Sequence, residues 1–260
     1  MKLGFIGTGM IASFLVTGFL SGDERHEVFL SPRSAERAQA LKESFPARVT
    51  IAKDNQDVVN QADWIFFCVK PEQAEGIIKS LVFNQSHKIV NVIAGLSLDT
   101  LQNWVGPVEL LVHAIPLSFS AKRYGPIVLY PDLPPVRELL SYLGDVFGAR
   151  NLEEVQILQA LTSTQASYYT LLNTLVDWSV QKGLAQDLAV AFVSSLFNAY
   201  GEEIIGIDKE KLSHLSDEMT ANGLNWTTKT RLTHSGALEE WSTALGLAFA
   251  RIESLTKPGS

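Results

Sequence analysis

Gly7-Thr8-Gly9-Met10-Ile11-Ala12 stands near the start of the chain and fits the pattern G-x-G-x-x-A. It follows the apolar run Leu3-Gly4-Phe5-Ile6 and precedes the apolar segment Met10 to Leu20, so it reads as a turn from a buried strand into a helix. In that setting each small residue has a task. Gly7 makes the tight turn, Gly9 lets the backbone approach a pyrophosphate, and Ala12 allows the helix to pack closely on the strand. Thr8, Met10 and Ile11 then lie where unpaired helix N–H groups meet the phosphates. An ordinary glycine turn satisfies the same letters; the strand before it and the helix after it favour a dinucleotide.

The end of the second strand, His26 to Leu30, bears on which dinucleotide. A site for NAD usually carries Asp or Glu there to accept hydrogen bonds from the ribose hydroxyls. This chain has Ser31-Pro32-Arg33-Ser34 instead. A carboxylate would repel a 2′-phosphate, whereas Arg33 with the Ser31 and Ser34 hydroxyls would hold one through charge-assisted hydrogen bonds. The expected cofactor is therefore NADP, with NAD as the alternative; a plain helix N-cap at Ser31 or Ser34 is compatible with either. Val69-Lys70-Pro71 closes the fourth strand, where backbone passes the cofactor, although Lys70 also reads as a solvated strand-end lysine. Asn55 is placed toward the adenosine side. Ala94-Gly95 ends the fifth strand and leaves room for a nicotinamide ring.

These positions need a scaffold. Strands are expected at Leu3 to Ile6, His26 to Leu30, Val49 to Ala52, Ala62 to Val69, Lys88 to Ala94, Val108 to Ala114 and Ile127 to Tyr130, with helices between them. Val136 to Phe147 reads as one more helix. Such alternation gives a mostly parallel, doubly wound sheet of Rossmann type over residues 1–150, with its ligand at the carboxyl ends of the strands. From residue 151 to 260 the pattern is all-helical, with helices expected over 153–181, 186–204, 209–219, 226–233 and 236–255. Residues 165–180 are apolar or small on most faces, and so small a domain has little interior for such a helix. Burial against a second copy is the simplest remedy, so a helical dimerisation domain and a homodimer are expected.

Composition narrows the partners. The net charge of −7 and the pI near 5.3 give no reason to expect nucleic acid. The Leu3–Leu20 stretch, interrupted by four glycines and followed by Ser21-Gly22-Asp23-Glu24, reads as neither a signal peptide nor a membrane span. With Cys68 as the one cysteine there is no intrachain disulfide, and a cytoplasmic location is the default. His113, His214 and His234 lack metal-ligand spacing, so no metal is expected, though His113 lies near the expected nicotinamide. No G-x-S-x-G or Walker lysine occurs.

The fragments Gly4-Phe5-Ile6-Gly7-Thr8-Gly9-Met10, Ala62-Asp63, Phe67-Cys68-Val69-Lys70-Pro71 and Ala94-Gly95-Leu96-Ser97 resemble the pyrroline-5-carboxylate reductase family. Pro116 matches the proline of that family's Met-Pro-Asn segment, and Lys182-Gly183-Leu184 its turn between two long helices. The resemblance implies hydride transfer from NAD(P)H to a cyclic imine by an interlocked dimer. It assigns the substrate side to two segments. The family's Ser-Gly-Ser-Gly-Pro-Ala-Tyr becomes Thr162-Ser163-Thr164-Gln165-Ala166-Ser167-Tyr168, in which Thr164 and Tyr168 keep a hydroxyl. The family's Pro-Gly-Gly-Thr-Thr loop becomes Thr220-Ala221-Asn222-Gly223-Leu224-Asn225-Trp226-Thr227, in which Asn225 and Thr227 are the polar groups. Leu117 replaces the asparagine after Pro116. Losing several glycines and hydroxyls together alters both pocket shape and hydrogen bonding.

The resulting expectation is an NADP-dependent reductase of a small imine, probed through Thr164, Tyr168, Asn225 and Thr227. Two alternatives stand beside it: a non-catalytic NADP-binding dimer with a sensing role, and a reductase of a carbonyl or deazaflavin substrate.

Overall fold

The computed structural model describes residues 1–22, 25–218 and 220–256. The Asp23-Glu24 half of the expected turn and Met219, the last residue of the expected 209–219 helix, lie outside the described residues. The chain divides into two compact units, residues 1–159 with the stretch from Arg251, and Ala160–Ala250.

The first unit alternates as its apolar runs require. Its elements are β1 (Lys2–Ile6), α1 (Met10–Leu20), β2 (Glu27–Leu30), α2 (Ala35–Ser44), β3 (Val49–Ile51), α3 (Asn55–Gln61), β4 (Trp64–Phe67) and α4 (Pro71–Ile78). There follow β5 (Lys88–Asn91), α5 (Leu98–Val105), β6 (Leu110–Ile115), a 3-10 turn at Ser118–Lys122, β7 (Pro126–Tyr130), α6 (Pro134–Ser141) and β8 (Asp145–Gly148). One eight-stranded sheet runs β3-β2-β1-β4-β5-β6-β7-β8. Every pair is parallel except β6 with β7. Central strands of a two-sided sheet have no solvent face, which is why Trp64-Ile65-Phe66-Phe67 is apolar throughout and wholly buried. Phe5 stacks on Phe66 at 4.8 Å across the β1–β4 pair, in register.

The order matters for the site. From β1 the chain steps outward to β2 and β3, then returns to β4 on the other side of β1. Helices leave β1 and β4 toward opposite faces and open a crevice at the strands' carboxyl ends.

Two expectations fail locally. The helix expected through Phe147 stops at Ser141, and Asp145–Gly148 adds an eighth strand beside β7. Gly144, at φ +153°, makes the break; a Cβ there would stand 2.2 Å from the Gly125 carbonyl. The long helix expected over 153–181 is two, α7 (Leu152–Thr162) and α8 (Gln165–Gln181). Ser163 Oγ donates to the Ala160 carbonyl at 2.6 Å and Thr164 Oγ1 to the Leu161 carbonyl at 2.8 Å, which competes with the helical ladder at that point.

Beyond α8 the chain continues in α9 (Gln186–Glu203), α10 (Lys209–Leu215), α11 (Leu224–His234) and α12 (Glu239–Thr256). Gly183, at φ +97°, turns α8 toward α9. Among the described residues of Ala160–Ala250 there is no strand.

Packing in the first unit makes a stability prediction. Gly18 on α1 lies against the 3-10 turn so closely that a Cβ would meet the Ser120 carbonyl at 2.1 Å. Because the obstacle is backbone, Gly18→Ala is expected to lower unfolding stability by about 3 kcal/mol, read from the urea midpoint.

Candidate functional site

The crevice between β1 and β4 gathers most of the residues singled out from sequence. Gly7, Thr8, Gly9, Ser31, Arg33, Ser34, Asn55, Val69 and Lys70 line one groove, joined by Arg37, Cys68, Gln73 and Ile77. Gly7, at φ +96°, is held so tightly that a Cβ would meet the Cys68 carbonyl carbon and oxygen and Val69 Cγ1, all at 2.8 Å. Gly9, the N-cap of α1, is open by contrast; only the Cys68 oxygen comes near, at 3.9 Å. Backbone at Gly9 is therefore free to meet a ligand, while Gly7 holds the two strand ends together.

Ser31 lines the groove and also has a structural task. Its side chain is buried, its Oγ accepts from Gly7 N–H at 2.8 Å, and its carbonyl accepts from Thr8 Oγ1 at 2.8 Å. It ties the end of β2 to the glycine turn. Ser34 occupies the N-cap position of α2 but makes no capping bond with its side chain. Arg33 is exposed, and its guanidinium donates to Gln73 Oε1 at 3.2 Å, which bridges the β2 end to α4. Arg37, one helical turn further on, was not singled out from the sequence; the i, i+4 spacing from Arg33 was its only signal. Asp54 caps α3 by accepting from Asp57 N–H at 2.7 Å, leaving Asn55 to line the groove. Burial pushes the Cys68 thiol up, so it stays protonated at the groove floor.

Met10, Ile11, Pro71 and Ala94 are not in that lining. Met10 and Ile11 form the first turn of α1, and Pro71 opens α4. Gly95 lines a second cavity with Leu96, Ser97, Leu98, His113, Leu152, Val155, Gln156 and Gln159. Gly95 has φ +74°, and a Cβ would approach Leu255 Cβ at 3.3 Å, so the backbone conformation itself favours glycine there.

His113, within β6, is nearly buried, and desolvation lowers its pKa to about 4. The unfolded imidazole takes a proton near 6.5, whereas the folded one resists until about 4. Stability is thus fully present above pH 6.5 and is lost as pH falls toward 4. Denaturant midpoints between about pH 7 and about pH 5 are expected to fall more steeply for wild type than for His113→Gln.

Of the four residues expected on the substrate side, three lie on two helices of Ala160–Ala250 and one just before the first of them. Thr164 immediately precedes α8, and its Oγ1 donates to the Leu161 carbonyl; Tyr168 sits on α8 with its ring edge-on to Phe197 at 6.0 Å. Asn225 and Thr227 are exposed in the first turn of α11, and Thr227 Oγ1 donates to the Gly223 carbonyl at 3.0 Å.

Residues 2–95 match a family model described as NADP oxidoreductase coenzyme F420-dependent. Pyrroline-5-carboxylate reductase of Pisum sativum is 27% identical over 202 residues, 74% of this chain and 73% of its own length. Pyrroline-5-carboxylate reductase 2 of Bacillus subtilis is 24% identical over 237 residues, 85% of this chain and 83% of its own length, so the similarity to proteins of that name spans most of the chain. Solved structures agree in fold. The 1-pyrroline-5-carboxylate reductase of Streptococcus pyogenes superposes with a TM-score of 0.83 at 23% identity, covering 98% of each chain. The Plasmodium falciparum pyrroline carboxylate reductase, solved with NADP bound, gives 0.81 at 18% identity, covering 99% of this chain and 98% of its own. Among the described residues no helix is long and apolar enough to cross a membrane, and no group of three metal-ligating side chains forms.

Proposed function

We propose that this protein is an NADP-dependent reductase of the C=N bond in a small cyclic, carboxylate-bearing imine. The observation that carries the cofactor is the groove at the β1–β4 crevice, where the open backbone of Gly9 adjoins Arg33, Arg37 and Lys70 with no carboxylate among the lining residues. The reaction class follows from similarity to proteins named pyrroline-5-carboxylate reductase.

The residues present fit a dinucleotide phosphate. Gly7 and Ser31 fix the turn, the N-terminus of α1 faces the pyrophosphate, and Arg33 and Arg37 take the 2′-phosphate, with NAD binding more weakly in the same groove. Bound NADPH supplies the hydride that goes to the imine carbon. Thr164, Tyr168, Asn225 and Thr227, from this copy or its partner, hold the substrate. Water ordered on Thr164, Asn225 or Thr227 delivers the proton that the nitrogen gains. Most of the catalysis is positioning and exclusion of bulk water.

A homodimer is part of the reading. No residue of α8 is buried, and Trp178 on α8 and Phe192 on α9 are 59% and 62% exposed. A helix this apolar gains by covering that surface, and a second copy of the helical unit supplies an equally apolar partner. Light scattering after gel filtration is expected to give a dimer or a larger even assembly; a monomer at micromolar concentration would contradict it. We also place the protein in the reducing cytoplasm, since Cys68 has no disulfide partner in the chain.

The test is consumption of NADPH at 340 nm with pyrroline-5-carboxylate and a panel of other small cyclic imines. Turnover on at least one is expected. NADPH binding without turnover on any would move the protein to a nucleotide-sensing role, which the altered Thr162–Tyr168 and Thr220–Thr227 segments would then explain.

A further inference from the structure

The Gly95–His113 cavity holds an arrangement that the proposed cofactor groove does not use. Asn91 ends β5 and His113 lies on β6, paired with it in register, so their side chains share a face of the sheet. Asn91 is fully buried. Its Oδ1 accepts from the Ile93 backbone N–H at 3.0 Å, and an N–H can donate only to the oxygen end of an amide. The NH2 end is thereby fixed toward the Leu96 carbonyl, at 3.4 Å, and toward His113 Nδ1, at 3.1 Å. Nδ1 must then present its lone pair. A neutral imidazole has a single ring proton, so that proton sits on Nε2.

Among the described residues no side chain accepts from Nε2–H, and the backbone group beside the ring is the Asn91 carbonyl. The ring lines a cavity whose other polar walls are Ser97, Gln156 and Gln159, with no lysine, arginine or carboxylate. Ser97 Oγ is already bonded to Thr100, donating to its hydroxyl at 2.9 Å and accepting its backbone N–H at 3.1 Å. Tyr130, in register with His113 across β7, is the one titratable side chain opposite it on the neighbouring strand. A fixed, neutral donor at the carboxyl end of the sheet calls for an acceptor.

We propose that His113 is a binding residue whose Nε2–H donates to an sp² oxygen of the bound reactants, and that Asn91 is the positioning residue that locks the ring in this tautomer. Two sources share that chemistry, the carboxamide oxygen of the nicotinamide and a carboxylate oxygen of the imine. The inference rests on the reductase reading for its ligand, but the tautomer does not.

The experiment is imidazole ¹⁵N NMR on the full-length, histidine-labelled protein, with His113 assigned from His113→Gln. In the free protein, His113 is expected to show a protonated Nε2 and an unprotonated Nδ1 at neutral pH. In Asn91→Asp the carboxylate accepts from Nδ1, so the His113 titration midpoint should move up by at least a unit, a change that loss of packing alone would not produce. A protonated Nδ1 in wild type would overturn the proposal outright. NADPH is then added, followed by NADP⁺ with L-proline as the product probe. An Nε2–H shift with NADPH alone assigns the carboxamide, and a shift only with proline assigns the carboxylate. His113→Gln should weaken the assigned ligand by about tenfold, as for loss of one such hydrogen bond. NADPH binding seen by fluorescence with a silent His113 in both arms sinks this proposal alone. No NADPH binding by wild type sinks the reductase reading and this proposal with it.

Discussion

Gly9→Ala is expected to leave the melting temperature of the free protein unchanged while weakening NADPH binding by about 100-fold. The added Cβ meets only the Cys68 oxygen at 3.9 Å, an ordinary contact, and Gly9 has φ −84°, which alanine adopts freely. The loss would come from the ligand side, where a methyl group stands in the path of the pyrophosphate. Gly7→Ala is the opposite case. Its φ of +96° and the 2.8 Å approach to Cys68 backbone force β1 and β4 apart, so both stability and binding should fall, stability by about 3 kcal/mol. Thermal melts and NADPH fluorescence titrations on the pair separate a turn that builds the fold from a backbone that meets the ligand. Equal NADPH affinity in wild type and Gly9→Ala would remove the phosphate from this turn.

The second large effect belongs to the two arginines. Arg33→Ala with Arg37→Ala is expected to weaken NADPH about 100-fold and NADH by no more than about threefold, because only NADPH carries the 2′-phosphate. Both side chains are exposed, so each is assigned a modest share and the pair is tested together. Raising ionic strength should erode the wild-type preference for NADPH and leave the double variant nearly unaffected. An undiminished NADPH preference in the double variant would mean that Ser34, Asn55 or Lys70 makes the selection instead.

The cofactor end was legible because its signals are local. A strand, a glycine turn and a helix occur in sequence order from Leu3 to Leu20, and the fold reproduces them within a residue. What was not legible depends on which strand ends lie side by side. Ser31 reads from sequence as a phosphate ligand alone, and only the β1–β2 pairing shows that its hydroxyl also accepts from Gly7 N–H. Asn91 and His113 lie 22 positions apart, and only the β5–β6 register makes them partners. β8 was hidden because Asp145-Val146-Phe147-Gly148 follows a helix with no polar interval, and its break rests on one glycine conformation at Gly144. On the substrate side, Thr164 and Thr227 keep the hydroxyls that the family resemblance points to, yet in this structure each bonds to its own backbone.

The central claim is transfer of hydride from NADPH to an imine carbon, and isotope transfer tests it most directly. The protein would be incubated with NADPH dideuterated at C4 and with pyrroline-5-carboxylate, alongside the other small cyclic imines, and the amine product weighed by mass spectrometry. The account predicts, for at least one imine, a product carrying one deuterium at the former C=N carbon, with one NADPH consumed per amine formed. NADPH that binds in the groove but keeps its deuterium with every imine would contradict it.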